Sequence, residues 1–88
     1  MINVVVLFFA SLRDELNVGE CKLQLADGSL ETLRAELVKR LGDSAELLWT
    51  ENVRVAKNQT VLSLAELRAD FSLVDGDELA FLPPVTGG

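Results

Sequence analysis

The chain has 88 residues, 49% of them hydrophobic and 25% charged, a composition typical of one folded domain and not of a disordered segment. Its formal net charge of −6 disfavours contact with a phosphate backbone, so we expect no nucleic-acid partner. The single cysteine excludes an intrachain disulfide, and the absence of histidine excludes Cys/His metal sites and the usual general base of catalysis.

The run INVVVLFFA, residues 2–10, is β-branched and aromatic, and Asn3 is its only polar side chain. A run of this length predicts a strand with both faces covered, as in the centre of a sheet. It is too short to span a bilayer and has no basic segment before it. We therefore expect neither a membrane contact nor a signal peptide and assign the protein to the cytoplasm.

Residues 11–18 predict a turn or a short helical connection, and residues 20–26 predict a second, half-buried strand that forms a hairpin with the first. In the second strand Cys21, Leu23 and Leu25 alternate with polar residues. This position favours a packing role for Cys21, with a nucleophile or sulfur acceptor as the alternative.

The clearest helical pattern runs from Leu30 to Leu41, where apolar residues recur at steps of three and four and form one stripe. Ser29 is a suitable N-cap, and Gly42 predicts the helix end. Glu36 and Arg40 are spaced for an ion pair on the other side of the helix.

The second half of the chain contains three more strand patterns, at residues 52–56, 60–62 and 78–82, the last ending at Pro83. Residues 44–50 and 64–71 predict only helical turns, and Trp49 is interpreted as a core anchor instead of a stacking surface for a ligand. The turn signals are Asp27-Gly28, Asn58-Gln59 and Asp75-Gly76-Asp77, the second of them a hairpin turn because asparagine tolerates positive φ.

This order of elements predicts an α+β fold of the β-grasp, or ubiquitin-like, class: a mixed sheet with one main helix packed on one face. The first and last strands are expected to lie side by side and parallel, because a right-handed crossover then supplies the second neighbour of the first strand. We assign residues 1–82 to the β-grasp domain and residues 83–88 to an extended C-terminal tail that ends in Gly-Gly.

A single helix covers only one side of a sheet, so alternate apolar residues are left on the other side. The pattern places Val5, Leu7, Phe9 and Leu82 on that open side. An apolar patch of this kind marks a partner interface, and coverage by loops is the alternative.

No group of residues predicts a catalytic centre. Asp75, Asp77 and Glu78 lack the further ligands of a calcium loop and are better interpreted as a turn. In the final segment PPVTGG two prolines stiffen the exit from the sheet and two glycines keep the tip narrow. Such a tail suits a carboxylate that must enter the active site of another protein, and a chance flexible terminus is the alternative.

Three segments resemble the MoaD/ThiS family of ubiquitin-like sulfur carriers, which includes the small subunit of molybdopterin synthase. They are MINVVVLFFASLRDEL at the start, KNQT at residues 57–60 and DGDELAFLPPVTGG from Asp75. The resemblance extends over nearly the whole chain. It departs from the family pattern at Lys57, where an apolar residue is expected, and at Leu82, where an aromatic residue is common.

The resemblance implies that Gly88 reacts, at the end of the tail Pro83, Pro84, Val85, Thr86 and Gly87. A MoeB-like adenylating enzyme uses ATP to activate the Gly88 carboxylate, and a sulfur donor protein supplies the persulfide sulfur that converts it to a thiocarboxylate. The tail then enters a MoaE-like large subunit, with which the carrier forms a heterotetramer and which is expected to supply the catalytic groups. There the sulfur attacks cyclic pyranopterin monophosphate in molybdenum cofactor biosynthesis.

For docking to the large subunit, alternation predicts Phe9 and Leu82, and the resemblance adds Arg13 and Val61. A solvated charge is the alternative for Arg13. The chain itself is expected to bind no metal and no cofactor. Sulfur delivery for thiamine thiazole synthesis or tRNA thiolation is the alternative within the carrier class, and a protein modifier that forms isopeptide bonds through Gly88 is the alternative outside it.

Overall fold

The computed structural model describes residues 1–69 and 71–83. Five strands form one mixed sheet in the order β2-β1-β5-β3-β4. The strands are β1 (Ile2–Phe8), β2 (Glu20–Leu25), β3 (Arg54–Lys57), β4 (Thr60–Val61) and β5 (Glu78–Leu82). The helices are α1 (Ala10–Leu16), α2 (Leu30–Leu41), α3 (Leu64–Ala69) and a 3₁₀ helix at Gly42–Trp49. No helix within the described ranges is both long and apolar enough to cross a membrane.

The two central strands, β1 and β5, lie side by side and run parallel, as the strand order predicts. Val6 pairs with Leu79 and Phe8 with Phe81 across these strands. β2 pairs antiparallel with the other edge of β1, and β3 pairs antiparallel with the other edge of β5. Because β1 has a hydrogen-bonded neighbour on both sides, an almost wholly apolar run is stable there. With α2 packed against one face, this arrangement confirms the predicted β-grasp fold.

β1 ends two residues before the end of the apolar run from which it is predicted. The carbonyl oxygen of Phe9 accepts hydrogen bonds from the backbone N–H groups of Leu12 at 3.1 Å and Arg13 at 3.4 Å, which begin α1. Ala10 has a φ of +49°. This left-handed conformation costs a non-glycine residue roughly 1–2 kcal/mol. The chain therefore turns sharply after Phe9, and β1 connects to β2 through α1 instead of through a tight hairpin.

α2 occupies the residues that the apolar stripe predicts. Ser29 is its N-cap, since its side-chain oxygen accepts a hydrogen bond from a backbone N–H in the first turn at 3.1 Å. Gly42, with a φ of +67°, ends the helix in a conformation that favours glycine. Glu36 does not form its ion pair with Arg40: its carboxylate accepts from Lys39 Nζ at 3.2 Å. Positions i+3 and i+4 both lie on the Glu36 side of the helix, so the spacing alone does not choose between the two cations.

The core lies between the sheet and α2 and is formed by one set of alternate strand residues with the apolar stripe of the helix. Trp49 packs edge-on against Phe81 with ring centroids 5.4 Å apart, as expected of a core anchor. Burial raises the pKa of the Cys21 thiol, so the reactive thiolate is disfavoured and the packing role is supported. The central residues of the core are Val4, Val6, Phe8, Cys21, Leu23, Leu25, Leu33, Leu37, Leu79 and Phe81.

The Asp27-Gly28 turn has a structural role that its local sequence does not reveal. The backbone of Leu73 packs directly on Gly28, and the Leu73 N–H donates to the Gly28 carbonyl oxygen at 2.9 Å. A Cβ atom at residue 28 would overlap the Leu73 carbonyl group. Only glycine therefore allows the segment before β5 to close over the turn that begins α2.

Candidate docking site on the open sheet face

We call the face of the sheet that is turned away from α2 the open face. β1 contributes Val5 and Leu7 to it, and β5 contributes Ala80 and Leu82, because paired residues of neighbouring strands point to the same side. Val5, Leu7 and Leu82 are half-buried. β4 adds Val61. Its partner on β3 is Ala56, which pairs with Ala80 of β5 and therefore also points away from α2. The assignment of faces from alternation is therefore confirmed for Val5, Leu7, Ala80 and Leu82.

A groove of about 650 Å³ lies at the end of the open face where β5 leads into Pro83. Phe9, Val61, Leu82 and Pro83 form its apolar walls. Phe9 is 41% exposed and Val61 is 53% exposed, so neither side chain belongs to the core. The structure therefore brings together three of the four predicted docking residues beside the last described residue of the chain. We call this cavity the docking groove.

The docking groove also has a polar rim, formed by Glu51, Asn52 and Arg54, which the sequence patterns do not single out. Arg54 pairs with Leu82 across β3 and β5, so it lies on the open face. Strand alternation around the buried Val55 is the signal that would have placed Arg54 there. A partner that docks in this groove meets an apolar floor with charged groups at one side.

Phe9 is held in place at the groove by its backbone. Its N–H donates to the carbonyl oxygen of Phe81 at 3.2 Å, which extends the pairing of β1 with β5 by one residue. Its carbonyl oxygen accepts the first hydrogen bonds of α1. Because these contacts fix the backbone on both sides, the exposed ring is positioned without being packed in the core.

Arg13, the fourth predicted docking residue, does not line the docking groove. It is exposed on α1, and the aliphatic part of its side chain lies against Gly19. A Cβ atom at residue 19 would be 3.1 Å from Arg13 Cδ. Its role as a partner contact therefore stays a prediction, independent of the groove.

The Asn58-Gln59 turn joins β3 to β4, and the Asn58 side chain is hydrogen-bonded to the beginning of β5. The two residues have φ values of 49° and 73°, which give the predicted tight turn between β3 and β4. The Asn58 side-chain N–H donates to Asp77 Oδ1 at 2.9 Å, and its amide oxygen accepts the Glu78 backbone N–H at 2.9 Å. The Asn58 backbone N–H donates to the Glu78 carbonyl oxygen at 2.8 Å. These contacts fix β4, and with it Val61, relative to β5.

Asp77 is buried, at 8% exposure, although the sequence assigns it only to a turn. Its Oδ2 accepts the Val74 backbone N–H at 2.8 Å. Burial raises the pKa of the Asp77 carboxyl, but the hydrogen bonds from Asn58 and Val74, with the charge of Lys57, outweigh it and the pKa is lowered. Lys57 Nζ also donates to the Ser72 carbonyl oxygen at 3.2 Å. An ionised Asp77 therefore organises the turn before β5, which agrees with the turn interpretation.

The predicted reactive tail is described only at its first residue. Pro83 is described, whereas Pro84, Val85, Thr86, Gly87 and Gly88 lie outside the described residues. Within residues 1–69 and 71–83, no three Cys, Asp or Glu side chains are grouped so that they could hold a metal ion. What this part of the chain offers is an apolar groove that ends at Pro83.

Comparison with known proteins shows the family of the chain. Residues 6–88 match the ThiS family. The chain is 35% identical to the molybdopterin synthase sulfur carrier subunit of Escherichia coli (strain K12) over 85 residues, which are 97% of this chain and 99% of the relative.

Two solved structures extend the comparison to the fold. One, from Pyrococcus furiosus and named as molybdopterin converting factor subunit 1, has a TM-score of 0.73 at 29% identity, with 97% of this chain and 100% of that chain covered. The other is a complex of subunits 1 and 2 of molybdopterin-converting factor from Helicobacter pylori 26695. It has a TM-score of 0.67 at 26% identity and coverage of 99% and 100%. With a family match over nearly its whole length and a full-length relative that shares a third of its residues, the chain belongs to the ThiS/MoaD family of β-grasp proteins.

Proposed function

We propose that this chain is the sulfur carrier subunit of a molybdopterin synthase. The main supporting observation is the docking groove of Phe9, Val61 and Leu82, an exposed apolar surface that ends at Pro83, where the tail toward Gly88 begins. A carrier needs a surface that a partner can bind and a reactive end close to that surface. Family membership and the full-length Escherichia coli relative support the same function.

The reacting group in this proposal is the carboxylate of Gly88. A carboxylate is a poor acyl donor, so a MoeB-like partner first joins it to the α-phosphate of ATP and releases pyrophosphate. A persulfide of a sulfur donor protein then attacks the acyl carbon, and AMP leaves. This attack forms a C–S bond, and a thiol then attacks the donor's own sulfur in the S–S bond that the persulfide brought, so that a disulfide with the donor forms and a thiocarboxylate is released on Gly88.

The catalytic groups belong to the partners in this scheme. The thiocarboxylate enters a MoaE-like large subunit, where its sulfur attacks cyclic pyranopterin monophosphate, and two such deliveries form the dithiolene that binds molybdenum. The Helicobacter pylori neighbour, a complex of two subunits of molybdopterin-converting factor, supports a large-subunit partner. We extend this to a cytoplasmic heterotetramer in which each carrier docks through the open face, with ATP bound only by the adenylating enzyme.

The test of the carrier function is the intact mass of the full chain after incubation with the adenylating enzyme, ATP and a sulfide source. We expect the mass increase that corresponds to replacement of one oxygen by sulfur, located on the C-terminal peptide. The matched control is a chain that lacks Gly88, which should gain no sulfur. Equal sulfur gain in the shortened chain, or none in the full chain, would show that Gly88 is not the carrier group.

The choice of pathway needs a separate measurement. The purified thiocarboxylate form is mixed with the large subunit and the pterin precursor, and formation of the dithiolene product is followed. Formation of product supports the molybdopterin pathway. If the thiocarboxylate is stable in this mixture but is consumed in thiazole synthesis or tRNA thiolation, the carrier belongs to one of those pathways. Covalent adducts on lysines of other proteins assign the chain to protein modification.

A further inference from the structure

A second groove lies on the other side of the sheet, between α2, the 3₁₀ helix and α3, and we call it the α3 groove. Its volume is about 460 Å³, and Trp49, Leu64 and Leu67 form much of its apolar floor. Leu64 is 63% exposed, and Leu67 and Trp49 are half-buried. Residues three positions apart share one side of a helix, so Leu64 and Leu67 face the groove together.

The core accounts for only part of α3: Leu67 is half-buried against the core, but no residue of the helix is fully buried. Its first turn is nevertheless specified by a reciprocal cap. The Glu66 backbone N–H donates to Ser63 Oγ at 3.1 Å, and the Ser63 backbone N–H donates to Glu66 Oε1 at 3.2 Å. A capped helix with one leucine packed against the core and the other exposed is suited to present Leu64 to another molecule.

Two arginines flank the apolar floor, in a chain with a net charge of −6. The Arg34 guanidinium lies over the Trp49 ring, 4.8 Å from the ring centre, and Arg68 lies near the end of α3. Among the residues that the structure describes, neither arginine forms an ion pair. Among the described residues that line the groove, Glu51 is the one acidic side chain against these two arginines.

We propose that the α3 groove binds an acidic amphipathic helix of a partner protein. The apolar stripe of such a helix would cover Leu64, Leu67 and Trp49, while carboxylates beside the stripe would reach Arg34 and Arg68. The α3 groove adjoins the docking groove at Glu51, which lines both. The inference does not depend on the proposed sulfur carrier function.

Trp49 is the single tryptophan of the chain, so its fluorescence reports directly on the α3 groove. The probe is a synthetic peptide with leucines at helical steps of three and four and with glutamate and alanine elsewhere. Its twin has lysine in place of every glutamate. We expect a saturable blue shift of the full chain's emission with the acidic peptide and an affinity at least about tenfold lower for the lysine twin. No saturable change up to millimolar peptide, or equal affinities for the twins, would overturn the proposal.

Substitutions test whether the peptide binds at α3. Leu64→Glu should weaken binding of the acidic peptide by about tenfold or more, since it places a like charge on the floor of the groove. Its thermal midpoint should stay close to that of the wild type, because Leu64 lies outside the core. Val38→Glu is the matched control, an exposed valine of α2 that does not line the groove, and should bind normally. Equal weakening by both variants, or by neither, refutes the α3 groove as the site.

Charge is tested at Arg68. Arg68→Glu should remove the preference for the acidic peptide and move the ratio of the two affinities toward the lysine twin. Circular dichroism of the variant checks that the fold is intact. An unchanged preference for the acidic peptide in a folded Arg68→Glu chain would show that this guanidinium does not recognise the partner's carboxylates.

Discussion

Replacing Phe9 by aspartate should weaken docking at the open face without unfolding the domain. A phenylalanine side chain buries about 150–250 Å² when it is fully covered, and 41% of Phe9 is exposed, so docking can remove roughly 80 Å² of apolar surface from water. At about 25 cal/mol per Å², this area is worth roughly 2 kcal/mol, or about a thirtyfold change in the dissociation constant. Aspartate adds the cost of desolvating its carboxylate, so the expected loss is at least this large.

The assay is isothermal titration calorimetry of the carrier with the large subunit, paired with thermal unfolding of the carrier alone. Phe8→Ala is the contrasting control, because Phe8 is 1% exposed. Its loss should lower the free energy of unfolding by about 3–5 kcal/mol. Phe9→Asp should leave the thermal midpoint near that of the wild type. A folded Phe9→Asp chain that binds within about threefold of the wild type would refute the docking role, and unfolding of this variant would refute the assignment of its face.

Four further predictions address the hairpin, the buried carboxylate and the two glycines that end the tail. Asn58→Ala removes the side-chain hydrogen bonds to Asp77 and Glu78. It also leaves an alanine at positive φ, with no side-chain hydrogen bond to offset the strain. The free energy of unfolding in urea should therefore fall by about 2–4 kcal/mol. A loss below about 1 kcal/mol would contradict this account of the hairpin. Because the folded pKa of Asp77 is lowered, its contribution to stability is complete above its unfolded pKa of about 3.9 and is lost as the pH falls through the folded value. Asp77→Asn should therefore flatten the acid side of the stability profile, and an unchanged acid side would count against the assignment. Deleting Gly88 moves the C-terminal carboxylate back by roughly 3.5 Å. Since a misplacement of about 1 Å can cost on the order of a hundredfold in rate, thiocarboxylate formation should be abolished. Binding to the large subunit should survive the deletion. Gly87→Val should gain no sulfur in the same mass assay, because a β-branched side chain adds bulk and removes conformations open only to glycine. Normal sulfur gain in this variant would show that the enzyme's channel accepts a side chain at residue 87.

Features with a short sequence period could be predicted from the sequence alone. The apolar steps of three and four give α2 its observed bounds, and alternation in β1 and β5 separates the buried face from the open face. The Asn58-Gln59 turn is readable for the same reason, because the φ preference belongs to the residues themselves. Alternation therefore sufficed to propose Phe9 and Leu82 as docking residues, whereas Val61 was proposed from the family resemblance, and the structure joins the three in one groove.

Features that depend on contacts between distant segments were decided only by the tertiary structure. Arg13 falls near Phe9 in the sequence, but the direction of α1 turns it toward Gly19 and away from the groove. α3 and its groove were equally hidden, because the sequence predicts only a helical turn there and its leucines face a surface that other elements complete.

The role of a polar or glycine residue was the least predictable from its neighbours in the chain. Gly28 is required because the backbone of Leu73 passes over it, and Asp77 is ionised and buried because Asn58 reaches it from the hairpin. Local pattern determines which residues form a helix or strand and which side they turn inward. The parallel pairing of β1 with β5 then determines which distant residues meet, because it sets the position of every segment that connects the two halves of the chain.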